Sequence, residues 1–219
     1  MEAVEKKPEL YSKGEEIFNY VTHIVGSAFG LFSLIFCFIK FNNSLDGRMI
    51  ASIIIYSLSI VILYLMSTLY HALRGKAKRV FRRFDHLTIY ILIAGSYTPF
   101  CLVALEGNAI GWVIFAIVWG VALLGIIFNA IMLNNKIVRV LSYISYVVIG
   151  WIIIIAVKPL YDVIGLAGFL LLLFGGVAYT IGIIFFAKGT KIKWFHSIWH
   201  LWCLIGTFLQ FLSIVMYVF

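Results

Sequence analysis

The sequence has little charge and little proline for its length. Charged side chains make up 12% of the 219 residues, prolines number 3, and hydrophobic residues reach 63%. Soluble globular domains carry about 25% charged residues and are about half apolar, so this composition argues against a separate soluble domain. A chain that faces lipid must satisfy its backbone polar groups internally, as helices or a closed barrel do. The long apolar runs favour helices.

Cysteine is also scarce. Cys37, Cys101 and Cys203 show no C-x-x-C spacing, and their odd number argues against a disulfide framework. A bond between Cys37 and Cys101 is the less favoured alternative, because both residues approach the same predicted leaflet. The first apolar stretch begins near Ile17, is too long for a signal-peptide core and lacks a small-residue cleavage site, which predicts a retained first helix.

The apolar runs predict an all-α polytopic membrane protein, a bundle of seven transmembrane helices. Each crossing needs about 20 residues, so seven crossings and short loops use nearly the whole chain. We expect a cytoplasmic tail over 1–16 and a transmembrane domain over 17–219. The predicted spans lie near 17–39, 49–71, 84–105, 109–131, 137–157, 163–187 and 194–219.

The distribution of lysine and arginine predicts the orientation. Of 17 basic residues, only Lys40, Arg48 and Lys158 fall on the side opposite the N-terminus. Because cytoplasmic loops retain basic residues, the N-terminus is expected inside and the C-terminus outside, in a multi-pass protein of the cell membrane. The basic run 74–79 has a second interpretation, binding of anionic headgroups, but a retention signal is favoured and nucleic acid is not an expected partner.

Two local signals concern helix packing. Gly26 and Gly30 form a G-x-x-x-G pair that predicts a close approach between helices. Pro99 removes a backbone donor within the third span and is expected to bend it.

Histidines converge on the predicted cytoplasmic side. His196 and His200 are four residues apart, so they share one helical face and can grip one metal ion. His71, from the end of the second span, would complete a three-histidine set that leaves the fourth position of zinc for water. Interfacial histidines that cap helices or bond across the bundle are the alternative interpretation. We expect Zn²⁺ as the cofactor.

A carboxylate and a hydroxyl accompany this predicted site. Zinc lowers the pKa of bound water to roughly 7, and Asp85, one short loop after His71, is the expected general base. Ser67 shares a face with His71 and is expected to orient the substrate or a metal ligand. His86 lies about 100° around its helix from Asp85 and is left out of the set.

The first span adds three polar residues at the same depth. Glu16, Asn19 and His23 are assigned supporting roles around the metal ligands. For Glu16 the alternative is a favourable charge at the start of a helix, and Asn19 can bond to a neighbouring helix.

Four motifs together resemble one family over essentially the whole chain. They are Glu16-x-x-Asn19-x-x-Thr22-His23, Ser67-x-x-Tyr70-His71, Asp85-His86 followed by Ala94-Gly95-Ser96-Tyr97-Thr98-Pro99, and His196-x-x-Trp199-His200. This pattern resembles the hemolysin III family, the bacterial branch of the progestin and adiponectin receptor superfamily.

The resemblance implies a site as well as a fold. Adiponectin receptors are similar seven-helix proteins that hold zinc near the cytoplasmic face through three histidines, with an aspartate that reaches the metal through water. The matching positions are His71, His196 and His200 for zinc and Asp85 for the water contact, with Ser67 as the matching serine. Related alkaline ceramidases cleave the ceramide amide bond.

Three functions are therefore weighed. The favoured one is a zinc-dependent hydrolase of a ceramide-like amide-linked or ester-linked membrane lipid. A pore-forming hemolysin or channel is the second, although polar residues that could line a wide lumen are few and cluster at one end. The third is a zinc-stabilised membrane sensor that acts through a partner. The sequence leaves the identity of the lipid and the oligomeric state open.

Overall fold

The computed structural model describes residues 10–132 and 135–219, and every regular element in them is helical. The all-α prediction is therefore confirmed for these residues, whereas the first nine residues of the predicted tail lie outside them. The described part contains the α-helices α1 (Lys13–Lys40), α2 (Gly47–Ala72), α3 (Gly75–Pro99), α4 (Ala109–Met132), α5 (Lys136–Trp151), α6 (Val157–Lys188) and α7 (Phe195–Tyr217).

Six continuous helical segments of the described residues are long and apolar enough to cross a membrane. The longest runs over Lys136–Lys188 and has 53 residues, because a 3₁₀ turn at Ile152–Ala156 joins α5 to α6 without a loop. Two of the predicted spans fall in this segment. Within α6 the helix is interrupted at Gly165, whose φ of 66° lies in the left-handed region that glycine tolerates.

Several helices begin at a side-chain cap. Ser12 and Glu15 form a reciprocal capping box at the start of α1. Asp46 caps the start of α2, where its side chain accepts a hydrogen bond from the Met49 N–H at 2.7 Å. Asn135 caps the start of α5, where its side chain accepts from the Ile137 and Val138 N–H groups. These polar starts lie at or just beyond the ends of the apolar runs, which is where hydropathy alone places a boundary least accurately.

The basic stretch after α2 is helical. We expected the third span to begin near residue 84, but α3 begins at Gly75. Only a two-residue connection, Leu73 and Arg74, separates α2 from α3. A helix can continue beyond the hydrocarbon region, where lysine and arginine side chains are solvated or paired, so hydropathy underestimates its length.

Each helix contacts the next one in the chain, and α7 also contacts α1, which closes the bundle. The interior is formed mainly by α2, α3 and α7, whose apolar segments are half or more buried. The other helices present many exposed large hydrophobic side chains, as lipid-facing helices do. Cys37, Cys101 and Cys203 are free, buried thiols.

Helices α1 and α2 pack closely at the predicted glycine pair. A Cβ atom at Gly26 would lie 2.6 Å from the Tyr64 ring, and one at Gly30 would lie 2.9 Å from the backbone nitrogen of Val61. These separations leave no room for a side chain, which confirms the close approach predicted from G-x-x-x-G.

Pro99 marks a change of helical type. The α-helical pattern of α3 ends at Pro99, and the backbone continues as a π-helical turn over Phe100–Ala104. The Leu105 N–H donates to the Phe100 carbonyl at 2.9 Å and closes this wider turn. Since proline has no N–H to donate, the regular hydrogen-bond ladder cannot continue through it.

Candidate metal centre

Three histidine rings meet where α2 ends and α7 begins. His196 Nε2 lies 3.2 Å from His71 Nε2 and 3.2 Å from His200 Nε2. All three side chains are buried, and one ligand atom from each falls within 4.8 Å of the others. The structure therefore brings together the three residues that the sequence proposed as metal ligands.

The hydrogen bonds on the far side of two rings define their protonation. His71 Nδ1 lies 2.6 Å from Glu16 Oε2, and His200 Nδ1 lies 3.2 Å from the backbone carbonyl of Asn19. Both partners are acceptors, so each Nδ1 carries the proton and each neutral ring keeps a lone pair on Nε2. These lone pairs point at the same space as His196 Nε2. A proton on His196 Nε2 could hydrogen-bond to only one of these lone pairs, whereas a cation between the three nitrogens satisfies them together, so the three histidines can hold a metal ion.

Two of the predicted supporting residues of α1, Glu16 and Asn19, lie directly behind His71. Glu16 accepts from His71 with one carboxylate oxygen and from Lys78 Nζ with the other, each at 2.6 Å. Asn19 Nδ2 is 3.5 Å from His71 Nδ1. Carboxylates in this position fix the orientation of a metal-binding imidazole and raise its basicity. The contribution of Lys78 was not predicted, because nothing in its sequence context distinguishes it from the other lysines of the basic stretch.

Tyr11 covers the histidine cluster and was also missed. Its ring stacks on His196 with centroids 4.7 Å apart and an interplanar angle of 21°, and it lies 5.7 Å from the His71 ring. Burial raises the pKa of Tyr11, with a smaller contribution from Tyr70, so its hydroxyl stays protonated. A tyrosine within a predicted polar tail gives no signal of this role.

The start of α7 is held in place by two contacts. Trp194 adopts a left-handed conformation with φ of 66°, uncommon for a residue other than glycine. Its N–H donates to Glu15 Oε1 at 2.6 Å, which ties the loop to α1. On the other side, a Cβ atom at Gly189 would lie 2.9 Å from the His196 Cβ. The close approach of Gly189 to His196 therefore helps to fix the position of His196.

Asp85 and Ser67 lie at the same end of the bundle. Both side chains are buried, and the Ser67 hydroxyl is near the Asp85 carboxyl group, although Ser67 Oγ makes no hydrogen bond of good geometry to the described residues. Asp85 and His23 both line an internal cavity. The functions assigned to Asp85 and Ser67 remain predictions.

His23 packs against the cluster without joining it. Its ring stacks on His200 with centroids 3.5 Å apart and an angle of 11°, and the Tyr64 ring lies 4.7 Å away, edge to face. His86 is half-buried and lies 5.5 Å from the Phe186 ring. It is not among the described histidines that are close enough to hold one metal ion together.

A largely apolar cavity lies near this site. Its lining includes His23 and Asp85 but none of the three histidines of the candidate metal site, and it measures about 880 Å³, counting its open mouth. A second cavity of about 540 Å³ continues it between α3, α5 and α6. The two cavities adjoin each other, because they share six lining residues: Ser96, Tyr97, Gly150, Trp151, Gly176 and Gln210.

Comparisons with known proteins agree with the motifs. The model of the family described as haemolysin-III related matches residues 11–211. The chain is 40% identical over 205 residues to "Hemolysin-3" of Bacillus cereus, covering 93% of this chain and 92% of the relative. It is also 40% identical to "Hemolysin-3 homolog" of Bacillus subtilis strain 168, over 95% of this chain and 96% of the relative.

A more distant human protein shares the same region. "Monocyte to macrophage differentiation factor" of Homo sapiens is 26% identical over 174 residues, which cover 75% of this chain and 69% of that protein. The family model spans the buried histidines and all but the end of α7. The chain is therefore a multi-pass membrane protein that belongs to the haemolysin III family.

Proposed function

We propose that this protein is a zinc-dependent hydrolase that cleaves an amide-linked or ester-linked acyl lipid, such as a ceramide-like lipid, within the membrane. One observation carries the proposal: three histidine nitrogens, 3.2 Å apart in two pairs, lie at the same end of the bundle as a buried carboxylate that opens onto an apolar cavity. A candidate metal centre near a largely apolar cavity suits hydrolysis of an acyl lipid.

Zinc is the metal that fits this donor set best. Zn–N bonds of about 2.0–2.1 Å at tetrahedral angles place two ligand nitrogens about 3.3 Å apart, close to the observed 3.2 Å. Three neutral histidines leave one tetrahedral position for water or substrate, as in catalytic zinc sites. Bound there, zinc supplies a Lewis acid for a substrate carbonyl and increases the acidity of a water molecule.

The side chains around the metal have separate tasks in this proposal. Asp85 accepts a proton from water at its carboxylate and returns it to the leaving group. Ser67 orients the Asp85 carboxylate or the substrate through its hydroxyl. Glu16 holds His71 in the protonation state and orientation that metal binding needs. Tyr11 limits access of bulk water by covering His196.

The acyl chain of the lipid occupies the adjoining cavities. Their lining is mainly apolar, with isolated polar groups such as Thr180 and Gln210. An acyl chain in this space would place the bond to be cleaved near Asp85. The lipid enters from the bilayer between helices, since its alkyl chain is more stable in hydrocarbon than in water.

We further propose seven crossings, with the N-terminus inside and the C-terminus outside. A single helix of 53 residues, Lys136–Lys188, would be about 80 Å long at about 1.5 Å per residue, more than twice the roughly 30 Å hydrocarbon core. The 3₁₀ turn at Ile152–Ala156 divides it into two crossings. The excess of basic residues on the side of the N-terminus then supports its cytoplasmic location.

The direct test is hydrolysis by purified protein in mild detergent. We expect wild-type protein to bind about one zinc ion and to release fatty acid from N-acyl sphingosine or from a matched acyl ester. His200→Ala should lose most of the zinc, whereas Asp85→Asn should keep zinc and lose at least about 100-fold in rate. Asp162→Asn, an exposed change, is the control. Normal turnover by Asp85→Asn would exclude Asp85 as the base.

Membrane lysis is a second candidate, favoured by the name of the Bacillus cereus relative, "Hemolysin-3". A pore would need a continuous polar lumen, whereas the cavities here have mainly apolar linings. Leakage from protein-containing liposomes distinguishes the two functions. Leakage that persists in both His200→Ala and Asp85→Asn would favour a pore over a hydrolase.

A further inference from the structure

We propose that His23 is the hydrogen-bonding partner of the polar group of the bound lipid, and that it selects lipids whose polar group has both a donor and an acceptor. This inference rests on the proposed function, because it takes an acyl lipid as the occupant of the cavity. In this role His23 binds the lipid directly, and it neither binds the metal nor supports a metal-binding histidine.

The polar atoms of His23 are buried and unpaired. The side chain is only 3% exposed, and neither Nδ1 nor Nε2 has a hydrogen-bond partner among the described residues. A buried polar group without a partner is unfavourable, and the great majority in folded proteins are paired with protein or water. The other buried histidine rings of the cluster are each tied to an acceptor or face the metal site. His23 is the exception among them.

The position of His23 explains what the missing partner is. The residue lines the large cavity together with Asp85, and its ring face lies on that of the metal ligand His200, 3.5 Å away. A group that hydrogen-bonds to His23 from the cavity therefore shares that cavity with the proposed base and lies close to the metal ligand His200. In an acyl lipid, the polar group next to the bond that is cleaved occupies this place.

The chemistry of a neutral imidazole predicts the kind of group. One ring nitrogen donates a hydrogen bond and the other accepts one. The two nitrogens point in different directions, so they pair with two separate groups, one that accepts and one that donates. A secondary amide with a neighbouring hydroxyl, as in a ceramide-like lipid, offers both groups, whereas a simple ester offers acceptors alone. His23 can therefore be fully satisfied by a hydroxylated amide lipid and only half satisfied by an ester. Protein sites that hydrogen-bond a substrate group discriminate against analogues that lack it.

A purely structural role is the alternative. The stacked contacts with His200 and Tyr64 could be the whole reason for an aromatic ring at this position. Two variants separate these roles. His23→Phe keeps a ring that can stack but has no nitrogen, whereas His23→Gln keeps a donor and an acceptor but has no ring. Loss of stacking and loss of hydrogen bonding are thus measured independently.

The experiment uses the zinc-loaded full chain in mild detergent and two probes of equal chain length. N-(2-hydroxyethyl) palmitamide carries an amide and a separate hydroxyl, which together supply the donor and the acceptor, and methyl palmitate has no donor. Binding is measured as the rise in thermal unfolding temperature with probe concentration, and zinc content is measured on the same samples. His86→Phe is the matched control, since His86 lies outside the cavity lining.

We expect wild type and His86→Phe to bind the amide about tenfold more tightly than the ester, the effect of roughly one hydrogen bond. His23→Phe should keep its zinc and bind both probes equally, and His23→Gln should recover part of the preference. A preference that persists in His23→Phe overturns the proposal, as does a wild type that binds the probes equally or binds neither. A wild type that discriminates but releases no palmitate would contradict the hydrolase and leave the assignment of His23 intact.

Discussion

Removal of the Glu16 carboxylate tests how the metal site is built. Glu16 lies on α1, outside the three-histidine set, and acts on the site only through its 2.6 Å hydrogen bond to His71 Nδ1. In Glu16→Ala the His71 ring loses the acceptor that places its proton on Nδ1, so the lone pair on Nε2 is no longer assured. The freed Lys78 ammonium group also adds positive charge near the metal site.

The expected loss of zinc affinity can be estimated from comparable metal sites. Loss of a group that hydrogen-bonds a metal ligand weakens metal binding by about 10- to 100-fold, which corresponds to about 1.4 to 2.7 kcal/mol. Glu16→Gln keeps a carbonyl acceptor for His71 but not the charge, so its loss should be smaller than that of Glu16→Ala. The order of zinc affinity is therefore expected to be wild type, Glu16→Gln, Glu16→Ala.

Zinc affinity is measured by competition with a chromophoric chelator in detergent. Glu106→Ala is the control: its carboxylate pairs with Arg48 at the start of α2, at the opposite end of that helix from His71, and its removal should leave affinity unchanged. An affinity for Glu16→Ala within about twofold of wild type would refute the reasoning, because the hydrogen bond would then contribute nothing to the ligand.

Three further predictions concern the same framework. Gly189→Ala should lower zinc content, because its Cβ would lie 2.9 Å from the His196 Cβ, whereas Gly120→Ala meets nothing within 4 Å and should keep full zinc content. Thr207→Val should lower the free energy of unfolding by about 1–3 kcal/mol in a denaturation assay, since the hydroxyls of buried Tyr64 and half-buried Tyr179 each lose a partner at 2.7 Å. Zinc removal by a chelator should lower the melting temperature of wild type but not that of His196→Ala, and equal shifts would contradict a specific site.

Much of the fold could be predicted from the sequence because lipid imposes simple rules. Apolar runs located the helical segments, and the spacing of His196 and His200 predicted their shared face. The start of α3 at Gly75 could not be predicted in this way. Hydropathy detects the part of a helix that lies in hydrocarbon and not its extension into water, where Lys78 pairs with Glu16.

The candidate site was predicted in outline but not in its contacts. The residues that meet at the metal site were identified from their residue types and their shared depth. The hydrogen bond from His71 to Glu16 depends on how α1 rotates against α2, and Tyr11 reaches His196 through the path of the chain before α1. Neither the rotation of α1 nor the path of the chain before it can be predicted from a periodic pattern in the sequence. Likewise, the left-handed conformation of Trp194 has no local sequence cue such as glycine.

The most direct measurement of the central claim is X-ray absorption at the zinc edge of purified protein. The account predicts about three imidazole nitrogens at about 2.0–2.1 Å and one further light ligand, with the imidazole count falling in His71→Ala. Protein that binds no zinc when zinc is supplied in excess would contradict the account. Bound zinc that has sulfur ligands, or that has no imidazole ligand, would contradict it too.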